Sequence, residues 1–531
     1  MKEIIYIQAG QLANYTGTHF WNTQEAYFTY GEDEHSEIDH DVSFREGSTS
    51  NGESTYSPRL LLFDRRSNFG TLSSNRGLYD TNEGGLQQES LWNGGVAEYR
   101  QDHIPPSNYH VQLDHEAGDD DKSLETDEDG VAPQVSESDV RFWSDYSRVF
   151  LHPRSMRRLP DPPDWESTEG NWVGSKDAFE RHNTDTDLME ESFRSFVEEC
   201  DNLQGIQVMN DTSTFGGLTG SFLTAYRDEF PRLPCLVIPL MSYSLPGHVR
   251  TDNDMGMRTV INDALYLHGL ASLSTMTVPV QAPETWVAGE WLNGIDLKHK
   301  SLYQTSALLS AHIETATVPL RLRGSMEDLD SVCGVLNWGG SNRFAHLSGA
   351  FPLPSPPQAQ RDFVRRAYDF SLISGGQEKA EDNFQATRLE FARIYVARGF
   401  SSSDRRELDA WTESRRPLPY TIFAPAYPVP SSFPTFLDSP AASTGDKLRA
   451  PTTRVLSSLH TTSRTSEMFA AYAAVVDDCV RRGAEVLSAM ELEKDDTIEL
   501  RDDLWALRDK YVGLEEGDAI TEDLELDVDE E

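Results

Sequence analysis

Two stretches of this chain carry residue types and spacing that could hold a phosphate. The first is Gly10-Gln11-Leu12-Ala13-Asn14-Tyr15-Thr16-Gly17, which follows the apolar run Ile4, Ile5, Tyr6 and Ile7. A short run rich in β-branched residues predicts a buried strand, and Thr16 and Phe20, with Trp21 beside them, fall at helical spacing. A strand that turns through glycine into a helix offers free N–H groups and a positive dipole end to an anion. The second stretch is Phe215-Gly216-Gly217-Leu218-Thr219-Gly220-Ser221. Backbone N–H groups approach a phosphate only where side chains are absent. Neither stretch is a GxGxxG or a P-loop. Other chemistries find no pattern: no HExxH, no GxSxG and no kinase signature is present. The four cysteines include no CxxC, which argues against a zinc site or a disulfide framework and fits a reducing compartment.

These residues need a frame. With 531 residues, 38% hydrophobic, the chain is long enough for two or three domains around a large core. Its formal charge of −42 predicts a soluble chain that avoids bare nucleic acid, with most of the charge forming a solvated surface. Nine acids between Asp114 and Asp129 and ten between Glu515 and Glu531 account for much of that charge, and both runs read as disordered. No apolar run is long enough to span a membrane, and the amino terminus enters a core strand directly, so import into an organelle matrix is not expected.

Further elements follow in order. Residues 31–55 read as an exposed loop, and Tyr56 to Asp64 as a second buried strand ending in an acid. Pro105 to Pro163 reads as an insertion that is part disordered and part packed through aromatics such as Phe142 and Trp143, with a basic patch of Arg154, Arg157 and Arg158. Leu188 to Glu199 has helical periodicity, Leu236 to Ile238 is a strand, Asn262 to Leu273 a helix, and Met276 to Val280 a strand. Residues 355–450 are rich in Pro, Ser and Arg and resist placement. Two helices close the chain, about Ser466–Leu487 and Thr497–Val512, the second with Leu500, Leu504, Leu507 and Tyr511 on one face and Asp496 and Glu499 at a capped start.

The letters add a resemblance. KEIIYIQAGQLANYTGTHFW resembles the amino terminus of tubulins, where a strand leads into GQCGNQIG and a helix ending FW. Tyr56-Ser57-Pro58-Arg59-Leu60-Leu61-Leu62-Phe63-Asp64 resembles YVPRAVLVDLEPGT, and Leu91-Trp92-Asn93-Gly94-Gly95 loosely resembles the next phosphate-side loop. Cys200-Asp201-Asn202-Leu203-Gln204-Gly205 resembles CDCLQGFQ, the glycine stretch at Gly216 resembles GGGTGSG, and Leu320 to Gly324 and Gly349 to Leu353 resemble LRFPG and GFAPL. The opening, the altered loops and the acidic insertion look like the Misato family of tubulin-related proteins.

The resemblance implies an α/β tubulin-like fold: a Rossmann-type doubly wound domain over 1–240 with its insertion at about 105–163, an α+β intermediate domain over 241–450, helices over 451–512 and an acidic tail over 513–531. It implies GTP as the candidate ligand, no other cofactor, and a degenerate site of Gly10, Gln11, Asn14, Asp64, Gly216, Gly217, Thr219, Gly220 and Ser221. In that site Asp64 would order magnesium-bound water. Leu218 and Phe222 interrupt the cradle, Arg66 reverses a local charge, Tyr303 stands one place from the family's base-stacking tyrosine, and Ser325 to Leu329 lacks the asparagine of the hydrolysis-activating loop. Efficient GTP hydrolysis is therefore not expected, and residual GTP binding stays open. The family implies a non-enzymatic role in mitochondrial distribution, morphology and inheritance, at the cytosolic face of the outer membrane and in the cytoplasm, through partners at the mitochondrial surface or the cytoskeleton, with self-association open. Two other readings stand beside it: a self-assembling cytoskeletal GTPase, and an adaptor or chaperone factor that mimics a tubulin subunit.

Overall fold

The computed structural model describes residues 2–28, 36–48, 54–73, 104–117, 137–161, 171–249, 254–337, 339–353, 366–373, 390–413, 415, 417–437 and 450–512. The turn at Leu91 to Gly95, the acidic run over 118–129 and the acidic tail over 515–531 lie outside these residues.

The amino-terminal half holds strands β1 (Glu3–Ala9), β2 (Phe44–Ser48), β3 (Ser54–Pro58), β4 (Leu60–Arg65), β5 (Met156–Leu159), β6 (Leu203–Asp211), β7 (Cys235–Leu240) and β8 (Met276–Thr277). Six of them form a parallel sheet in the order β5-β4-β1-β6-β7-β8. Ile4 and Tyr6 of β1 face one core while Ile5, Ile7 and Ala9 face another, so the strand is buried on both sides and reads as a continuous apolar run. Among the helices are α1 (Gln11–Ala26), α2 (Trp172–Thr186), α3 (Thr212–Glu229), α4 (Asp254–Leu273), α5 (Leu302–Thr317), α6 (Leu329–Leu336), α7 (Thr465–Arg482) and α8 (Lys494–Val512). Helices α1 and α5 cover one face of the sheet; α3, α4, α7 and α8 cover the other. This is a doubly wound α/β architecture.

The later half holds β9 (His346–Ala350), β10 (Tyr368–Asp369), β11 (Glu390–Arg398), β12 (Tyr420–Ala424), β13 (Tyr427–Pro428), β14 (Thr452–Thr453) and β15 (Val455–Thr462). Five build a mixed sheet, β10-β9-β15-β11-β12, and β13 pairs with β14. Helix α5 ties the halves together. Every residue from Tyr303 to Thr317 is buried, and the helix packs on α1 on one side and on β15, β9 and β11 on the other. Glu314 inside it is paired with Arg321 and Arg398, and accepts hydrogen bonds from Tyr27 Oη at 2.8 Å and Gln24 Nε2 at 3.2 Å.

Several expectations need correction. Residues 31–55 are not a plain exposed loop: β2 and β3 form an antiparallel ribbon, and Ile38, Val42 and Phe44 are buried. Residues 56–64 are two strands rather than one. The end of the 105–163 stretch is not an insertion either, because β5, with Arg157 and Arg158, completes the edge of the main sheet against β4. Leu188–Phe193 is a π-helical turn that runs into Arg194–Glu198. Helix α7 stops at Arg482, where Gly483 takes φ 60° as a left-handed cap. Helix α8 begins at Lys494, which puts Asp496 within its first turn rather than at its cap. The apolar stripe of α8 is as expected, with Leu500, Leu504, Leu507 and Tyr511 packed with Phe469 and Tyr472 of α7.

A candidate anion crevice closed by its own side chains

The carboxyl ends of β1 and β6 lie side by side where the strand order reverses, the place where doubly wound sheets take ligands. Gly10 ends β1 with φ 107°, and α1 starts at Gln11. The free N–H groups of that first turn face Asp211, the last residue of β6. Leu12 N donates to Asp211 Oδ2 at 2.9 Å and Ala13 N to Oδ1 at 2.8 Å. A Cβ on Gly10 would lie 2.6 Å from this carboxylate, so position 10 is glycine for two reasons: its φ and its neighbour. The helix end that would take a phosphate oxygen is taken by a carboxylate of the same chain. Asp211 keeps some accessible surface, but its carboxyl group is enclosed. Burial pushes its pKa up to about 7 against the opposing effect of the Ala13 and Leu12 N–H groups, with the Asp64 charge adding to the rise.

Asp64 ends β4 on the other side of β1, fully buried. Its Oδ1 accepts from Arg65 N at 2.8 Å and Asn68 Nδ2 at 2.7 Å. Its Oδ2 accepts from Asn14 Nδ2 at 2.9 Å and Trp143 Nε1 at 3.1 Å. Burial raises the Asp64 pKa, and these four donors pull it back. Two donors on each oxygen leave no lone pair directed at a hydrated ion. Asn14 also donates to Phe63 O at 3.0 Å, which ties α1 to β4. Gly10, Gln11, Asn14 and Asp64 are thus brought together, as the sequence predicts, around Asp211 and Trp143.

Trp143 belongs to a turn over Trp143–Tyr146 that lies across the first half of α1. Asp145 holds the turn by accepting from Arg141 N at 2.8 Å and Phe142 N at 3.1 Å. Tyr146 Oη donates to Tyr15 O at 2.8 Å, and Asn22 Nδ2 donates to Tyr146 O at 2.8 Å. The Tyr146 ring sits 4.5 Å from His19 and 4.8 Å from Tyr303. Tyr303, one place from the position of the base-stacking tyrosine, is therefore buried among internal aromatics. His19 Nε2 donates to Tyr303 O at 2.9 Å, and burial pushes the His19 pKa down to about 3.

The predicted glycine cradle is not a loop. Gly216, Gly217, Thr219, Gly220 and Ser221 lie inside α3, which starts four residues before Gly216, at Thr212. Their backbone belongs to a helix, and the glycines face α2. A Cβ on Gly217 would lie 2.6 Å from Trp172 O and 2.9 Å from Ser175 Cβ, and one on Gly216 would lie 3.3 Å from the Trp172 ring. Ser175 Oγ accepts from Leu218 N at 2.9 Å and donates to Thr214 O at 3.1 Å, standing between two groups that a helix ordinarily bonds to each other. The glycines allow a close helix crossing. In the counterpart of the activating loop, Asp328 caps α6 by accepting from Ser331 N at 2.8 Å, and Glu327 accepts from Tyr420 Oη at 2.7 Å. Both acids serve local structure.

Residues 2–115 match the Misato Segment II tubulin-like domain, and residues 132–322 match a tubulin domain. Protein dml1 of Aspergillus clavatus is 32% identical over 88% of this chain and 91% of its own length. The chain belongs to the DML1/Misato family of tubulin-like proteins. Protein DML1 of Gibberella zeae is 37% identical over 68% of this chain and 70% of its own length, and protein misato of Drosophila melanogaster is 31% identical over 62% of each. In this DML1/Misato chain the residues that sequence reasoning missed are Asp211, Ser175 and Tyr146. Asp211 left one signal, an acid directly before Thr212, Ser213 and Thr214, which is how a helix start reads.

Proposed function

We propose that this chain is a non-enzymatic member of the tubulin-like fold that acts through protein partners in mitochondrial distribution, morphology and partitioning of the organelle and its DNA. The observation that carries the non-enzymatic part is Asp211 seated on the amino-terminal N–H groups of α1, where a nucleotide phosphate would have to displace a carboxylate. The engaged Asp64 and the helical Gly216–Ser221 segment support the same reading. The mitochondrial part rests on the family resemblance. Among the described residues no helix is long and apolar enough to cross a membrane, so association with the organelle falls to surface contacts.

Calorimetric titration of the purified full-length protein with magnesium-GTP tests the first part. No binding up to millimolar GTP is expected, and no nucleotide released on denaturation. Micromolar binding by the wild type would favour a GTP-binding switch or polymer and remove the proposal. Fractionation with protease treatment of intact mitochondria tests the second part: a protease-sensitive organelle-bound pool is expected, and a wholly cytosolic protein would overturn it.

A further inference from the structure

A second group of chemistry-bearing side chains lies away from the crevice, inside the mixed sheet. His346 of β9 and His460 of β15 are direct antiparallel partners, so their side chains leave the same face of the sheet, with ring centroids 5.3 Å apart. Asp369 of β10, on the far side of β9, reaches both. Its Oδ2 lies 3.0 Å from His346 Nδ1 and 3.4 Å from His460 Nε2. All three side chains are about 95% buried or more.

We propose that His346 Nδ1, His460 Nε2 and Asp369 Oδ2 bind a divalent first-row transition ion, with zinc the expected occupant. One ligand atom of each residue lies within 4.8 Å of the other two. Ligands held at about 2.0–2.2 Å around a tetrahedral zinc sit roughly 3.3 Å apart, which the two measured separations bracket. Two imidazoles and a carboxylate form a donor set suited to zinc or iron rather than to calcium or magnesium. The surroundings orient two of the three ligands, His346 and Asp369, as metal sites require. His346 Nε2 lies 3.1 Å from Thr465 Oγ1 at the start of α7, which selects Nδ1 as the donor turned inward. Asp369 Oδ1 is held by Ser371 N at 2.9 Å, which leaves Oδ2 for the cluster.

The hydrogen-bonding alternative accounts less well for His460. Its contact with Asp369 is long for a hydrogen bond. Bound there, the ion would staple β9, β10 and β15.

The experiment is elemental analysis of untagged full-length protein purified without chelator, followed by cobalt(II) titration of the chelator-treated protein. About one zinc or other transition ion per chain is expected, removal should lower the melting temperature, and cobalt should restore it and give a visible d–d band. Asp369→Asn and His460→Ala should each lose the metal. If those variants do not fold, His460→Cys decides, because it retains a ligand and should add a thiolate-to-cobalt charge-transfer band. A folded wild-type protein that carries no metal and gives no cobalt band, or a band unchanged in His460→Cys, would overturn the proposal.

Discussion

Gly10 and Gly217 look alike in the sequence, each in a glycine-bearing stretch beside a strand, and they are glycine for opposite reasons. Gly10 holds a backbone angle of φ 107° with the Asp211 carboxylate in the space where a side chain would begin. Gly217 has ordinary helical backbone, and its missing side chain lets α3 approach Trp172 and Ser175 of α2. One glycine shapes a helix end that is ready for an anion; the other closes a helix crossing and has no anion to meet. Two stretches that together suggest a phosphate cradle therefore divide into one half-site and one packing seam.

The comparison can be broken most forcefully at the cover of the half-site. Trp143→Ala removes a buried indole and one donor to Asp64, and should lower stability by about 4 kcal/mol in urea denaturation. A loss below about 1 kcal/mol would mean that the turn does not seal the crevice. Gly217→Val drives carbon atoms into a backbone carbonyl and should cost about 3 kcal/mol, with no change in any anion affinity. If it changed affinity but not stability, the seam would be a cradle after all. Gly10→Ala should cost about 2 kcal/mol, from its positive φ and the Asp211 contact.

Asp211 sharpens the contrast through pH. Its folded pKa of about 7 lies above that of an ordinary aspartate, so the folded state binds the extra proton. Its contribution favours the folded state at acid pH and declines as pH rises from about 4 through about 7, then levels. Asp263, raised by burial to about 6, acts in the same direction. Asp211→Asn should flatten the fall in melting temperature between pH 5 and pH 8 relative to wild type; equal slopes would refute an enclosed, protonatable carboxyl group. The smallest effect belongs to Ser175→Ala, about 1 kcal/mol or less, because Leu218 N and Thr214 O can then bond each other.

These positions also show what the sequence could express. Strands β1 and β4 were legible because burial on both faces imposes an unbroken apolar run on them. The stripe of α8 was legible because one helix face alone is buried. Asp211 was not, because its meaning depends on N–H groups about 200 positions earlier, at Leu12 and Ala13. The glycine run was read as a loop because α3 begins at Thr212, and that start was hidden within a polar stretch. Strand β5 was missed because an edge strand paired only with β4 can carry Arg157 and Arg158. The polar partners His346 and His460 likewise leave no apolar pattern, although both sit in buried strands.

Helix α5 has a consequence for how the protein is made. Its Glu314 is neutralised in part by Arg398, which follows it by 84 residues, and β1 finds its neighbour β6 about 200 residues downstream. A ribosome that has released the first strand must therefore synthesise the chain through β8 before the central sheet can be completed, and through β11 before Glu314 has both of its cations. Until then the nascent polypeptide presents an apolar strand edge and a helix whose acid has Arg321 as its one cation. A chain truncated before β11 keeps Arg321 but lacks Arg398, the second cation of its central helix.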